Sequence, residues 1–224
     1  MKPVKVKAHG NVTRQANKKL RRERIFNIAK NLIALKGLDE FTISELAEEA
    51  GVSTPTIHNL FGKKEDIADE LVAELILSLQ KVMSFKPVSD PVESALYYVT
   101  SVVTMYKDKE NFYRSAYMAA DKTGVFEDRE SVDSFYQQSI KIAEHCVIPA
   151  LEEGFLLGNI DKKILTRQLY QCHRIGRQDW VYGYINLDEY HDQVLEAMLM
   201  AYATDASPEC HKRISKELKV ISTK

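Results

Sequence analysis

Apolar residues in this chain recur almost everywhere at a spacing of three to four, the period of an amphipathic helix. Ile25, Ile28, Ala29, Leu32 and Leu35 mark a first helix that Gly37 stops. A short helix from Thr42 to Gly51 follows, and then another of barely two turns, from Thr56 to Phe61. Ile67, Leu71, Leu75, Ile76 and Leu79 place a further helix over 63–79, and Lys86-Pro87 to Pro91 breaks the chain. Beyond it the pattern predicts helices near 91–107, 110–121, 130–157, 162–186 and 188–204, about nine in all, with a polar tail over 207–224. No stretch alternates in the period of two that a half-buried strand requires. The expected fold class is all-α.

The stretch Thr42–Asp66 reads TISELAEEAGVSTPTIHNLFGKKED. Thr42 and Glu45 have the spacing of a capping box. Ser53 or Thr54 offers a second cap, and Pro55 falls in the first turn of the next helix, where a missing N–H costs nothing. Ala47 is small where two helices would cross, and Gly51, four residues on, permits a positive φ in the turn between them. Leu46, Ala50, Val52, Ile57 and Leu60 supply a small shared core. This is the pattern of a helix-turn-helix over about 42–61.

Charge strengthens that reading. The 224 residues carry a net charge of -1, but the two parts of the chain differ. Up to Lys64 there are 13 Lys and Arg against 6 Asp and Glu; after it there are 18 against 26. A basic first part suggests a polyanionic partner. The first fifteen residues read as a flexible basic arm. Lys2, Lys5 and Lys7 interrupt any apolar core of a secretory signal, and no run reaches the roughly 18 apolar residues of a membrane span. Three cysteines without a short-spaced pair fit a reducing, cytoplasmic setting. Each has a histidine beside it (His145-Cys146, Cys172-His173, Cys210-His211), but helix neighbours point about 100° apart. No metal site or cofactor is expected.

Residues from about Lys18 to Leu79 resemble the DNA-binding domain of the TetR family of bacterial transcriptional regulators. The residues that carry the resemblance are Phe41-Thr42, Ile43, Leu46-Ala47, Ala50-Gly51-Val52-Ser53, Thr56-Ile57, Phe61 and Lys64-Glu65. It implies a three-helix DNA-binding domain over 16–80, then a helical effector-binding and dimerisation domain over 81–206. Two positions depart from the family pattern. His58 stands where a backbone-touching tyrosine is usual, and Leu60 where histidine or tyrosine is common.

Thr54, Pro55, Thr56 and Asn59 are the candidates for the groove face. Asn59 has the donor and acceptor that match adenine, and the threonine methyls match thymine. With no arginine in this helix, a bidentate guanine contact is not expected. Thr42, Ser53, His58, Lys64, Lys18 and Arg22 are the candidate backbone clamps. The resemblance further implies a homodimer through the last two long helices, here Ile175, Gly176, Trp180, Gly183, Val194, Leu195, Met198, Leu199 and Tyr202, with an intramolecular core as the alternative. An effector pocket is expected among Tyr98, Met105, Tyr113, Tyr117, Tyr136 and Tyr170, for an apolar or aromatic small molecule. Arg174 and Arg177 could hold an anion or pair with Asp188, Glu189 or Asp192. The function expected is a dimeric repressor released from a near-palindromic site on double-stranded DNA by its effector. The competing readings are a helical interaction module that has lost DNA binding and an all-α enzyme. No phosphate loop, paired metal-binding histidines or nucleophile elbow supports the enzyme.

Overall fold

The computed structural model describes residues 9–83, 88–126, 128–131 and 134–223. Ten helices run through them: α1 (His9–Glu40), α2 (Ile43–Glu49), α3 (Thr54–Phe61), α4 (Lys64–Met83), α5 (Pro91–Lys107), α6 (Glu110–Thr123), α7 (Phe135–Glu152), α8 (Lys162–Val181), α9 (Leu187–Ala203) and α10 (Pro208–Ile221). No strand forms among the described residues; a lone bridge joins Leu156 and Ala206. No described helix is long and apolar enough to cross a membrane. The first part of the expected basic arm, residues 1–8, lies outside the described residues, and from His9 the chain is already helical.

The first four helices share a compact core. α1 is broken at Gly37 (φ 81°), and Ile25, Ala29 and Ile33 fill its inner stripe. Leu35, expected on that stripe, points to solvent. Leu46, Ile57, Phe61, Ile67 and Leu71 complete the core from α2, α3 and α4. α6 packs against both α1 and α4 on one side and against α8 on the other. Lys30 of α1 marks that junction, with its ammonium 2.9 Å from Glu74 of α4 and over the rings of Phe26 and Phe112, the latter from α6.

In the larger part, α8 crosses α9 closely at Gly176, where a Cβ would stand only 2.4 Å from a Val194 methyl. Asp205 pins the link between α7 and α8. Its carboxylate accepts from the backbone N–H groups of Gly158 and Asn159, both at 2.9 Å, and its carbonyl accepts from Leu157 N at 2.8 Å. The polar tail expected over 207–224 is instead a tenth helix. Ser207 caps it and Pro208 occupies its first turn; Cys210 and Ile214 are buried, with Leu218 and Ile221 packed beside them. Arg213 pairs with Asp90, the residue that caps α5, so the end of the chain is fastened to the start of the body.

Candidate nucleic-acid interface and interior cavity

The turn between α2 and α3 is built by local chemistry. Thr42 caps α2 by accepting from Glu45 N at 3.3 Å. The reciprocal half of the expected capping box is not made, because the Glu45 carboxylate is held by Lys36 across the gap to α1. Gly51 takes φ 63°, and Val52 N closes the turn on Ala47 O at 2.9 Å. Ser53 is the cap residue of α3 without a side-chain cap bond; its hydroxyl meets Thr56 Oγ1 at 2.9 Å.

With Ile57 and Phe61 turned inward, α3 leaves Pro55, His58 and Asn59 exposed and Thr54 and Thr56 half-exposed. Leu60 packs against the core edge, so at that position nothing polar is offered outward. Asn17, Lys18 and Arg21 of α1 border the same hollow as Thr56 and Asn59. Arg21 was not among the sequence candidates, although its spacing of three from Lys18 puts both on one face.

Arg22, Lys64 and His58, all expected as backbone clamps, already engage groups of their own chain. Arg22 grips Glu70 of α4 in a fork, Nη1 at 2.6 Å and Nη2 at 2.5 Å; its Nε donates to Leu60 O at 3.2 Å, and its guanidinium lies 4.5 Å over the Phe61 ring. It therefore holds α3 against α1 and α4 rather than pointing outward, a role that its place in a basic run conceals. Arg24, likewise, donates to Ala50 O at 2.9 Å. Lys64 donates to Asp39 O at 3.0 Å from an exposed position. His58 Nδ1 lies 2.8 Å from Gly62 O. A carbonyl only accepts, so Nδ1 carries the proton and Nε2 is left facing out. The ring can then donate to a phosphate only in its doubly protonated form.

The residues expected at a dimer interface are, apart from Ile175 and Gly183, inside the chain. Val194, Leu195, Met198, Leu199 and Tyr202 are buried between helices of one chain. Gly176 serves the intramolecular crossing with α9. Trp180 is fully buried, stacked on Tyr106 at 4.5 Å with its indole N–H directed to Glu110, and Gly183 (φ 79°) forms the turn after α8. Besides the exposed Gly183, Ile175 faces solvent, at 54%. It belongs to an outward stripe of Ile164, Gln168, Gln171, Ile175, Gln178 and Tyr182 on α8, which carries no charge, with Met200 exposed on neighbouring α9.

An interior cavity of about 60 Å³ lies among α5, α7 and α8, closed by Leu79, Met198 and Tyr202. Of the six expected pocket residues, Tyr98 and Tyr170 border it. Tyr136 stands behind Tyr170, edge-on at 5.1 Å. Tyr113 and Tyr117 are core residues packed on Tyr106, and Met105 also lies away from the cavity, half-buried beside the core. The walls missed by sequence reasoning are Phe135, Ser139, Ile142, Ala143, Cys146 and His173, with Ser94 and Val102 from α5. The Ser94 hydroxyl is buried without a hydrogen-bond partner. His173 meets the Tyr190 hydroxyl through Nδ1 at 2.9 Å. Burial, and after it the charge of nearby Arg177, pulls the His173 pKa down to about 3, so the wall it forms is neutral.

A three-helix unit presents the second helix of a helix-turn-helix outward, the arrangement by which such motifs enter a DNA groove, and it is mounted on a helical body with its own cavity. Residues 25–71, which span the helix-turn-helix, match the model of the family described as bacterial regulatory proteins, tetR family. No curated protein matches the chain significantly in sequence. Among solved structures it is similar to a gamma-butyrolactone receptor described as ArpA-like (TM-score 0.63, 16% identity, covering 92% of this chain and 97% of that one). It is also similar to NalD of Pseudomonas aeruginosa, the secondary repressor of the MexAB-OprM multidrug efflux pump (0.60, 19%, 83% and 97%). A third is the TetR-family regulator PfmR of Thermus thermophilus (0.56, 20%, 77% and 97%). At these identities the likeness is one of fold.

Proposed function

We propose that this chain acts as a homodimeric repressor that leaves a near-palindromic operator when a small apolar or aromatic molecule occupies its interior cavity. In this reading residues 16–80 are the DNA-binding domain and 81–206 the effector-binding and dimerisation domain, working in the cytoplasm. The observation that carries it is the outward face of α3, where Asn59 and Pro55 are exposed and the two threonines half-exposed, beside Lys18 and Arg21. Asn59 reads adenine, the threonine methyls meet thymine, and Lys18, Lys64, Thr42 and Ser53 hold phosphates. His58 adds a phosphate contact when protonated.

The dimer is assigned to the uncharged stripe on α8 around Ile175, since its row of isoleucine and glutamine is unusual in a chain of which 28% of residues are charged. Two such subunits would set their α3 helices about 34–36 Å apart, one turn of the double helix. Selection from random double-stranded DNA tests the proposal. A recovered palindrome with half-sites at that spacing, whose preferred base changes with Asn59→Ala, is the expected result. Absence of enrichment at low salt would favour an interaction module that no longer binds DNA.

A further inference from the structure

Leu169, Tyr170 and His173 present one face of α8 to the cavity, and Arg177 follows His173 by one turn on that same face. Its side chain is buried, only 4% of the residue being exposed. The guanidinium carbon lies 4.6 Å from the centroid of the Tyr117 ring and 4.6 Å from that of Phe126. Phe126 in turn meets the cavity wall at Phe135, edge-on at 4.8 Å. Among the described residues Arg177 makes no ion pair, and its Nη1 has no hydrogen-bond partner.

Two of the acids expected beside it are occupied elsewhere. Glu189 closes the capping box of α9, and Asp192 accepts from His191. Asp121 of α6, exposed and holding the Tyr182 hydroxyl, adds an electrostatic attraction for the guanidinium. A guanidinium cannot shed its proton, so this helix face keeps a full positive charge out of water. The two ring faces and the Tyr117 hydroxyl offset part of the cost, but Nη1 itself has no acceptor and a ring accepts no hydrogen bond of ordinary strength. A buried N–H of a charged group stays unmet.

We propose that Arg177 is the anion-binding end of the effector site, and that the effector is a small amphipathic carboxylic acid whose carboxylate takes the guanidinium and whose apolar body fills the cavity. The inference rests on the reading of that cavity as an effector site. A carboxylate fits better than a phosphate. One planar fork matches its two oxygens, whereas a phosphate would need more donors than the neutral His173 and the tyrosines around it supply.

Calorimetry and thermal shift on the full chain test this with straight-chain carboxylates of four to ten carbons, phenylacetate and phenylpropanoate, each compared with its own carboxamide. At least one acid should bind about tenfold or more tightly than its amide, and Arg177→Met should remove that preference, bringing the acid to the level of its amide. Equal binding of acid and amide, a preference that survives Arg177→Met, or no binding by any acid would each overturn the acid assignment. Equal binding would still leave the cavity as an effector site, so the two readings fail separately. Without ligand, Arg177→Met should melt at the wild-type temperature or above, because an uncompensated cation gives way to an apolar chain of similar length. A marked fall would mean that the chain itself neutralises Arg177, and the proposal would be wrong.

Discussion

Arg22 separates two ways of reading a basic helix that leads into a helix-turn-helix. As a phosphate clamp it would matter for DNA and little for folding; as seated here, the opposite is expected. Its fork with Glu70 is bidentate, but the two side chains are 38% and 32% exposed, so the pair is worth about 1 kcal/mol after screening. The guanidinium over Phe61 adds about 0.5–1 kcal/mol, and the bond to Leu60 O about 1 kcal/mol. Arg22→Ala should therefore lower stability by roughly 2–3 kcal/mol, and Glu70→Ala by less. In a urea double-mutant cycle the two should show a coupling of about 1 kcal/mol. Fluorescence anisotropy on an operator duplex across a range of salt supplies the second measurement. Arg22→Ala should leave the salt slope unchanged, whereas Lys64→Ala should reduce it by about one unit per phosphate released. A slope that falls by about one with Arg22→Ala, at wild-type stability, would refute the assignment of Arg22 to the interior.

Gly176→Ala should destabilise the body: overpacking against Val194, about 1–3 kcal/mol, exceeds the helix propensity gained, about 1 kcal/mol. Adding Val194→Ala should recover part of that loss in the melting temperature. Ile175→Glu should shift the chain towards monomer in analytical ultracentrifugation while its circular dichroism stays unchanged; a dimer of wild-type strength would remove the α8 stripe from the interface. His173 gives a pH signature. Its folded pKa of about 3 lies below the ordinary 6.5, so between those values the unfolded chain binds more protons and stability falls as pH falls. The slope should approach about 1.4 kcal/mol per pH unit, and His173→Gln should flatten that window in urea titrations taken from pH 7 to pH 4.

The helix-turn-helix was legible because its determinants are local. A threonine three residues before a backbone N–H, a proline in a first turn and a glycine at positive φ act within a few residues of themselves. Which neighbours the last two long helices pack against was not legible, for the converse reason. Val194, Leu195 and Leu199 have the same period whether they face their own chain or a copy, and only the crossing at Gly176 decides between the two. The tenth helix could have been found: Ser207-Pro208-Glu209 repeats the cap, proline and acid that announced α5 at Asp90, and Cys210, Ile214, Leu218 and Ile221 keep the helical period. The cavity walls could not have been found, since α4, α5, α7, α8 and α9 each contribute only one to five of them. Arg22 and Arg177 show the same limit for charge, because sequence records a cation but not whether water or a ring receives it.

If the cavity takes an effector as proposed, its size would govern timing as well as affinity. At about 60 Å³ it has room for only a handful of waters, far below the roughly 300 Å³ at which ordinary ligand sites begin. Any occupant beyond a very small one must wait for Phe135, Tyr170 or their neighbours to part. The fraction of time spent open then multiplies directly into the apparent dissociation constant. Association would be slow and only weakly concentration-dependent at high ligand. Once the walls have reclosed, release would be slow too, so that a brief pulse of effector would leave a response outlasting it.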